Sequence, residues 1–166
     1  MPARTRPRSL GRADLPGLVV SVLACELVGS APAVVTATGS GSWYATLTRP
    51  ALAPPNWVFG PVWTTLFVLL GVAAYLVIRD GRGRTRRVAL ALFVGQYVLN
   101  VAWTLTFFGS ESVAGGLAVI LALLVGIVAT MVAFARVRRA AALLLVPYLL
   151  WVGFATYLNY AFWTLN

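Results

Sequence analysis

Five long apolar runs, separated by short segments that collect nearly all of the charge, constrain this chain more than any other feature. The first extends from Leu15 to about Thr38, the second from near Val58 to Arg79, and the third from Val88 to Phe108. The fourth covers Val113 to about Ala135, and the fifth starts at Ala140 and continues nearly to the C-terminus. Each reaches the ~20 residues that a helix rising about 1.5 Å per residue needs to cross ~30 Å of hydrocarbon. Backbone groups in lipid must be satisfied by the protein itself, so runs of this length predict helices. Of 166 residues, 60% are apolar and 10% charged, against roughly 25% charged in soluble domains. The expected fold is therefore all-α and integral to the membrane, a five-helix transmembrane bundle over residues 15–166 that follows a basic arm at residues 1–14. No internal repeat, low-complexity tract or second domain interrupts it.

The net charge of +9 would suit a nucleic-acid binder, but the arginines are placed otherwise. Arg4, Arg6, Arg8 and Arg12 precede the first run; Arg79, Arg82, Arg84, Arg86 and Arg87 lie between the second and third; Arg136, Arg138 and Arg139 lie between the fourth and fifth. The alternate connections hold only Arg49, a bias of twelve to one. A nucleic-acid surface interleaves basic residues with aromatics on one exposed face; these clusters instead follow the positive-inside rule. They predict a cytoplasmic N-terminal arm and a C-terminus on the outside, with no nucleic-acid partner; the membrane itself is expected to be a bacterial-type inner one. A competing reading takes the first run as a secretory signal ending at Ala31-Pro32-Ala33. Pro32 inside the cleavage site and the continuing apolar residues Ala33, Val34 and Val35 favour a retained helix.

The missing residue types exclude several chemistries. Without His there is no Ser-His-Asp triad, no His-ligated haem and no ordinary zinc site. Cys25 stands alone, and the acids are Asp14, Glu26, Asp80 and Glu111. Neither paired-carboxylate catalysis nor a metal site is expected, and no tightly bound cofactor.

Six tryptophans remain to be explained. An aromatic belt would populate both membrane interfaces, yet Trp43, Trp57, Trp63, Trp103 and Trp163 all fall toward the Arg-poor side, and Trp151 falls near mid-membrane. Some of them share helical stripes with intramembrane amides. In the third run Gln96, Asn100, Trp103 and Phe107 recur at helical spacing, as do Trp151, Ala155, Leu158 and Phe162 in the fifth and Phe59, Trp63, Leu66 and Leu70 in the second. Three such stripes would make an aromatic cavity suited to a flat hydrophobic guest; the plainer explanation is helix packing, with Gln96 and Asn159 bonding neighbouring helices. Ala91 and Gly95 form a weak small-residue step for a neighbouring helix or subunit. Glu26 sits near the centre of the first run, where an ionised side chain costs about 3 kcal/mol or more. It is expected to be neutral and bonded to an amide of the third run, or else to serve as a proton or ligand site. The connection from Gly39 to Trp57, with Pro50, Pro54 and Pro55, predicts an ordered non-helical lid.

This connection also carries a resemblance. Trp43-Tyr44-Ala45, Leu47, Arg49-Pro50, Pro54-Pro55-Asn56-Trp57, Phe59, Pro61 and Trp63 resemble the signature of the TspO/MBR family, the tryptophan-rich sensory and translocator proteins. The match continues through Gln96, Leu99-Asn100, Trp103 and Phe107-Phe108-Gly109, and then through Pro147-Tyr148-Leu149, Trp151, Ala155-Thr156, Leu158-Asn159-Tyr160 and Trp163. The resemblance implies a five-helix bundle, usually a homodimer, that binds porphyrins, haem precursors and similar hydrophobic small molecules among membrane lipids. It implies a role in tetrapyrrole regulation or light-dependent porphyrin breakdown. It assigns the ligand cavity to Phe59, Gly60, Trp63, Asn100, Trp103, Trp151, Ala155 and Leu158, with Trp63 and Trp151 as photochemical candidates. Trp43, Tyr44, Arg49, Pro54, Pro55 and Trp57 would form the lid, where Arg49 is placed to pair with a porphyrin propionate. The basic residue that animal members carry after Leu158-Asn159-Tyr160 is missing before Thr164, so cholesterol binding is not expected. Gly115 or Gly116 stands where animal members place a Trp, which implies a wider pocket or a different preference. The rival functions are a transporter with Glu26 as coupling group, a scaffold acting through Arg84, Arg86 and Arg87, and an enzyme that turns over in the dark.

Overall fold

Long apolar stretches without an internal helix breaker fold here as continuous helices, as the computed structural model of residues 10–36 and 39–166 shows. Arg4, Arg6 and Arg8 of the basic arm, and Thr38 at the end of the first run, lie outside the described residues. The helices are α1 (Leu15–Ser30), α2 (Trp43–Thr46), α3 (Phe59–Asp80), α4 (Gly83–Thr104), α5 (Val113–Val137), α6 (Arg139–Leu143) and α7 (Val146–Leu165). Among the described residues, five stretches are long and apolar enough to cross a membrane: Arg12–Val34, Asn56–Asp80, Gly83–Gly109, Val113–Val137 and Arg139–Leu165. The architecture is an all-α five-helix membrane bundle.

The boundaries depart from the hydropathy reading for local reasons. Pro16 opens α1, where its missing N–H costs nothing, and the chain tightens into a 3-10 turn at Ala31–Val34 around buried Pro32. Between α3 and α4 the chain reverses in two residues, helped by Gly83 at φ +54°, a value that residues bearing a Cβ rarely adopt. Thus Arg84, Arg86 and Arg87 belong to the first turns of α4 rather than to a connecting segment. Ser112 caps α5 by accepting from the Gly115 amide at 3.1 Å. The fifth run is broken: α6 ends at Leu143, and Pro147 in the first turn of α7 restarts the helix after Leu144 and Leu145. The lid is not wholly non-helical, since Trp43–Thr46 forms one helical turn and Asn56–Val58 a 3-10 turn.

The core lies between α3, α4, α5 and α7. Leu70, Val77, Leu123, Ile127, Phe134, Tyr148 and Val152 are fully buried there, and α4 packs closely on α5 at Gly126, where a Cβ would stand 3.1 Å from the Gln96 Cβ. α1 is peripheral and packs mainly on α3. One end of the bundle is tied by ions: Arg79 reaches Asp14 at 3.3 Å and Asp80 at 2.8 Å, and Asp80 accepts from Arg138 at 2.5 Å. This basic end is thereby joined across the first and second spans and the junction between the fourth and fifth. The opposite, loop end carries the lid.

Candidate functional site

The loop end is built from aromatics that the chain folds onto one another. Leu105–Gly109 widens into a π turn at the end of α4, a distortion that often marks functional sites. There Phe107 and Phe108 pack edge-on at 4.7 Å. Tyr44 of the lid is buried against Phe108 and Phe162, at 5.3 and 5.5 Å between ring centroids, and Trp43 meets Phe107 at 5.7 Å. Asn166 fixes the next stretch of lid, accepting from the Thr48 amide at 2.8 Å and donating to the Thr48 carbonyl. Arg49 donates to the Pro54 carbonyl at 2.8 Å, which ties the two limbs of the lid together, and stands 5.8 Å over the Tyr44 ring. Burial pushes the Tyr44 phenol above its ordinary pKa, with Arg49 opposing, so it stays a neutral hydroxyl.

Beneath this lid lies a cavity of about 460 Å³ between α1, α3 and α4, within the size range of small-molecule sites. From the second span it is lined by Phe59, Gly60, Trp63, Thr64 and Phe67, and from the third by Asn100, Trp103, Thr104 and Phe108. Tyr44, Asn56 and Trp57 border it from the lid and its end. Its aromatic wall is graded: Trp63 stacks on Phe67 at 5.4 Å and 29°, and lies 6.2 Å and 36° from Trp103. The stacked Trp63 and Phe67 rings, with Trp103 tilted beside them, make an aromatic wall that suits a flat apolar guest.

Polar groups behind the wall fix these rings. The Trp103 Nε1 donates to Asn159 Oδ1 at 3.1 Å, and the Asn159 amide donates to the Val113 carbonyl at 2.8 Å. Asn100 donates to the Tyr148 hydroxyl at 3.1 Å, which in turn donates to Gln96 Oε1 at 3.0 Å. Gln96 and Asn159 thus join helices, as bundle amides are expected to. Of the two expectations for Glu26, the bond to an amide of the third span is not made. The Glu26 Oε1 is buried without a hydrogen-bond partner among the described residues; Asn100 donates to Tyr148 instead, and Gln96 accepts from Tyr148 through Oε1 while its buried Nε2 makes no bond among the described residues either.

Of the residues expected in the cavity, Phe59, Gly60, Trp63, Asn100 and Trp103 come together. Trp151 does not join them: it lies in a second groove with Pro61, Val62, Leu66, Pro147 and Phe154, on the other side of Phe59, whose ring it meets at 5.9 Å. Ala155 and Leu158 are buried in the helix packing. Tyr44 and Trp57 of the lid border the cavity, whereas Trp43, Arg49, Pro54 and Pro55 hold the lid without lining it. The helical stripes missed the wall contributed by the first span: Glu26, Gly29, Ser30, Ala33 and Thr36. Its one signal in the sequence was an acid in an apolar run. Among the described residues no group of three or more His, Cys, Asp or Glu could hold a metal.

The sequence profile of the TspO/MBR family matches residues 21–164. The chain belongs to this family. It is 43% identical over 150 residues to a tryptophan-rich protein TspO of Chlorobaculum tepidum, covering 90% of this chain and 95% of that one. It is 44% identical over 126 residues to the human translocator protein, covering 75% of each chain. A tryptophan-rich sensory protein of Cereibacter sphaeroides is 40% identical over 125 residues, 75% of this chain and 77% of that one. Family membership and five apolar spans make this an integral membrane protein, and they place its role among the membrane sensors and translocators.

Proposed function

We propose that this protein is a membrane receptor that takes a porphyrin, or a similar flat hydrophobic molecule, into the cavity under the lid. The observation that carries the reading is the partly open cavity of about 460 Å³ walled by the stacked Trp63 and Phe67 rings and the tilted Trp103 ring, with Asn100 and Glu26 as polar groups on its lining. Stacking and apolar burial supply affinity, and the polar groups orient the guest. Arg49 lies at the rim and, released from Pro54, would reach a propionate. In this reading the basic end faces the cytoplasm of a bacterial-type cell, following the arginine bias. The exposed Ala91 and Gly95 of α4 supply a face for a homodimer. The output is tetrapyrrole sensing or light-dependent porphyrin loss, with Trp63 beside the guest and Trp151 one ring further out.

Titrating purified protein in nanodiscs with protoporphyrin IX, in darkness and in light, tests this. Saturable Trp quenching that Trp63→Phe weakens supports the cavity; absence of binding removes the reading.

A transporter is the second reading. It is favoured by the groove on the far side of Phe59, which is apolar apart from Thr65 and opens at the bundle surface, a lateral way out of the cavity if the Phe59 ring swings. Porphyrin flux into sealed vesicles that Glu26→Gln abolishes, with binding intact, would establish it.

A further inference from the structure

Glu26 stands near the middle of the first span and lines the cavity, yet its carboxyl is left without a partner. The Oε1 atom is shielded from solvent and makes no hydrogen bond among the described residues. Every side-chain donor that α1 and α4 contribute to the cavity lining is committed elsewhere. Ser30 donates to the backbone carbonyl of Glu26 itself at 2.5 Å, Thr104 to the Asn100 carbonyl at 3.3 Å, Asn100 to Tyr148 and Trp103 to Asn159. Tyr97, the nearest phenol on α4, donates to the Cys25 carbonyl at 2.6 Å. A leucine at position 26 would spare the bundle an unpaired carboxyl in its apolar region, where polar groups are costly unless bonded. What the Oε1 atom lacks among the described residues is a donor, and a guest in this cavity can supply one.

We propose that Glu26 is a recognition residue of the cavity, accepting a hydrogen bond from an N–H or O–H group on the buried part of a flat aromatic ligand. This rests on the porphyrin reading and names the chemistry by which that site selects its guest. Free-base protoporphyrin IX carries both kinds of donor, the pyrrole N–H groups at its centre and the propionic acid O–H groups at its edge. Its zinc complex lacks the first and its dimethyl ester lacks the second, so the two derivatives tell the sources apart.

The experiment measures affinity for the three compounds in wild type, Glu26→Leu and Glu26→Gln, together with the thermal midpoint of each unliganded protein in detergent. Glu26→Leu is expected to weaken free-base binding by about tenfold, while its unliganded midpoint is unchanged or raised. Glu26→Gln, which keeps an accepting oxygen, is expected to bind within about threefold of wild type. The Glu26→Leu penalty should vanish with the zinc complex if the pyrrole N–H is the donor, and with the dimethyl ester if the acid O–H is. A penalty of equal size with both derivatives overturns the proposal. So does wild-type affinity in Glu26→Leu, or a midpoint that falls with the affinity, which marks a structural residue. If wild-type protein binds none of the three compounds, the porphyrin reading fails and this inference with it; binding indifferent to Glu26→Leu removes the inference alone.

Discussion

The seam between α1 and α3 is closed along one half and open along the other. Toward the basic end the helices touch backbone to backbone. A Cβ on Gly71 would stand 2.6 Å from the Val22 Cα, and the Ser21 hydroxyl donates to the Gly71 carbonyl at 2.8 Å. Tyr75 and Arg79 continue this half outward, both bonded to Asp14. Toward the loop end the same helices are held apart by Phe67, whose ring fills the space a Gly29 side chain would need, and the gap becomes the cavity. Polar groups in the closed half find partners within the protein, whereas the open half leaves the Glu26 Oε1 without one among the described residues. One pair of helices thus holds the fold in one half and leaves room for a cavity in the other.

The sharpest way to break this division is Gly71→Val. Its side chain would collide with the Val22 backbone, which cannot rotate away as a side-chain tip can. Overpacking of this kind costs about 3 kcal/mol, and we expect the thermal midpoint in detergent to fall by several degrees while protoporphyrin affinity of the surviving folded protein changes little. Next in size is Asp80→Ala, which leaves the Arg79 and Arg138 guanidinium groups facing each other without the carboxylate that joins them. A loss of about 2 kcal/mol is expected, again read as a midpoint and again without effect on the cavity.

How much of this was legible beforehand differs between the halves. The five spans were plain in the sequence because a hydrocarbon slab demands length and apolarity of every crossing, and the stripe Gln96, Asn100, Trp103 and Phe107 is buried throughout. The stripe Trp151, Ala155, Leu158 and Phe162 shows the limit of such reasoning. Periodicity says which residues share a face, not which neighbour that face meets, and Trp151 turned out to lie across Phe59 from the cavity. The closed half was invisible, because nothing in the string Val-Leu-Leu-Gly marks Gly71 as the point where another backbone arrives. Nor did hydropathy reveal the break before Pro147 or the π turn at Leu105–Gly109, since both lie inside runs that are apolar throughout.

In the open half, Trp63→Phe tests the cavity against the groove. Trp63 touches Phe67, Trp103 and Tyr148, so a smaller ring removes stacking surface from the guest's own wall. Protoporphyrin affinity should drop by about tenfold, ~1.4 kcal/mol. Trp151→Phe should leave it within about twofold, because Phe59 stands between that ring and the cavity. Equal losses in the two variants would mean that cavity and groove merge when the ligand enters, and the transporter reading would gain.

A single hydroxyl at the outer end of the closed half gives the smallest effect. Tyr75→Phe keeps the ring that packs over Gly17, where a Cβ would stand 2.7 Å from Tyr75 Cε2, and removes only the hydroxyl that donates to Asp14 Oδ1 at 2.7 Å. Asp14 retains the Gly11 amide at 2.8 Å and Arg79 at 3.3 Å, so its carboxylate is not stranded. The midpoint should fall by no more than about a degree or two, and porphyrin affinity should stay within about twofold. If instead the affinity falls as far as in Trp63→Phe, the closed half transmits its state to the cavity along α1. The two halves of the seam would then be one mechanical unit, and the arginine-rich end would be coupled to the ligand site.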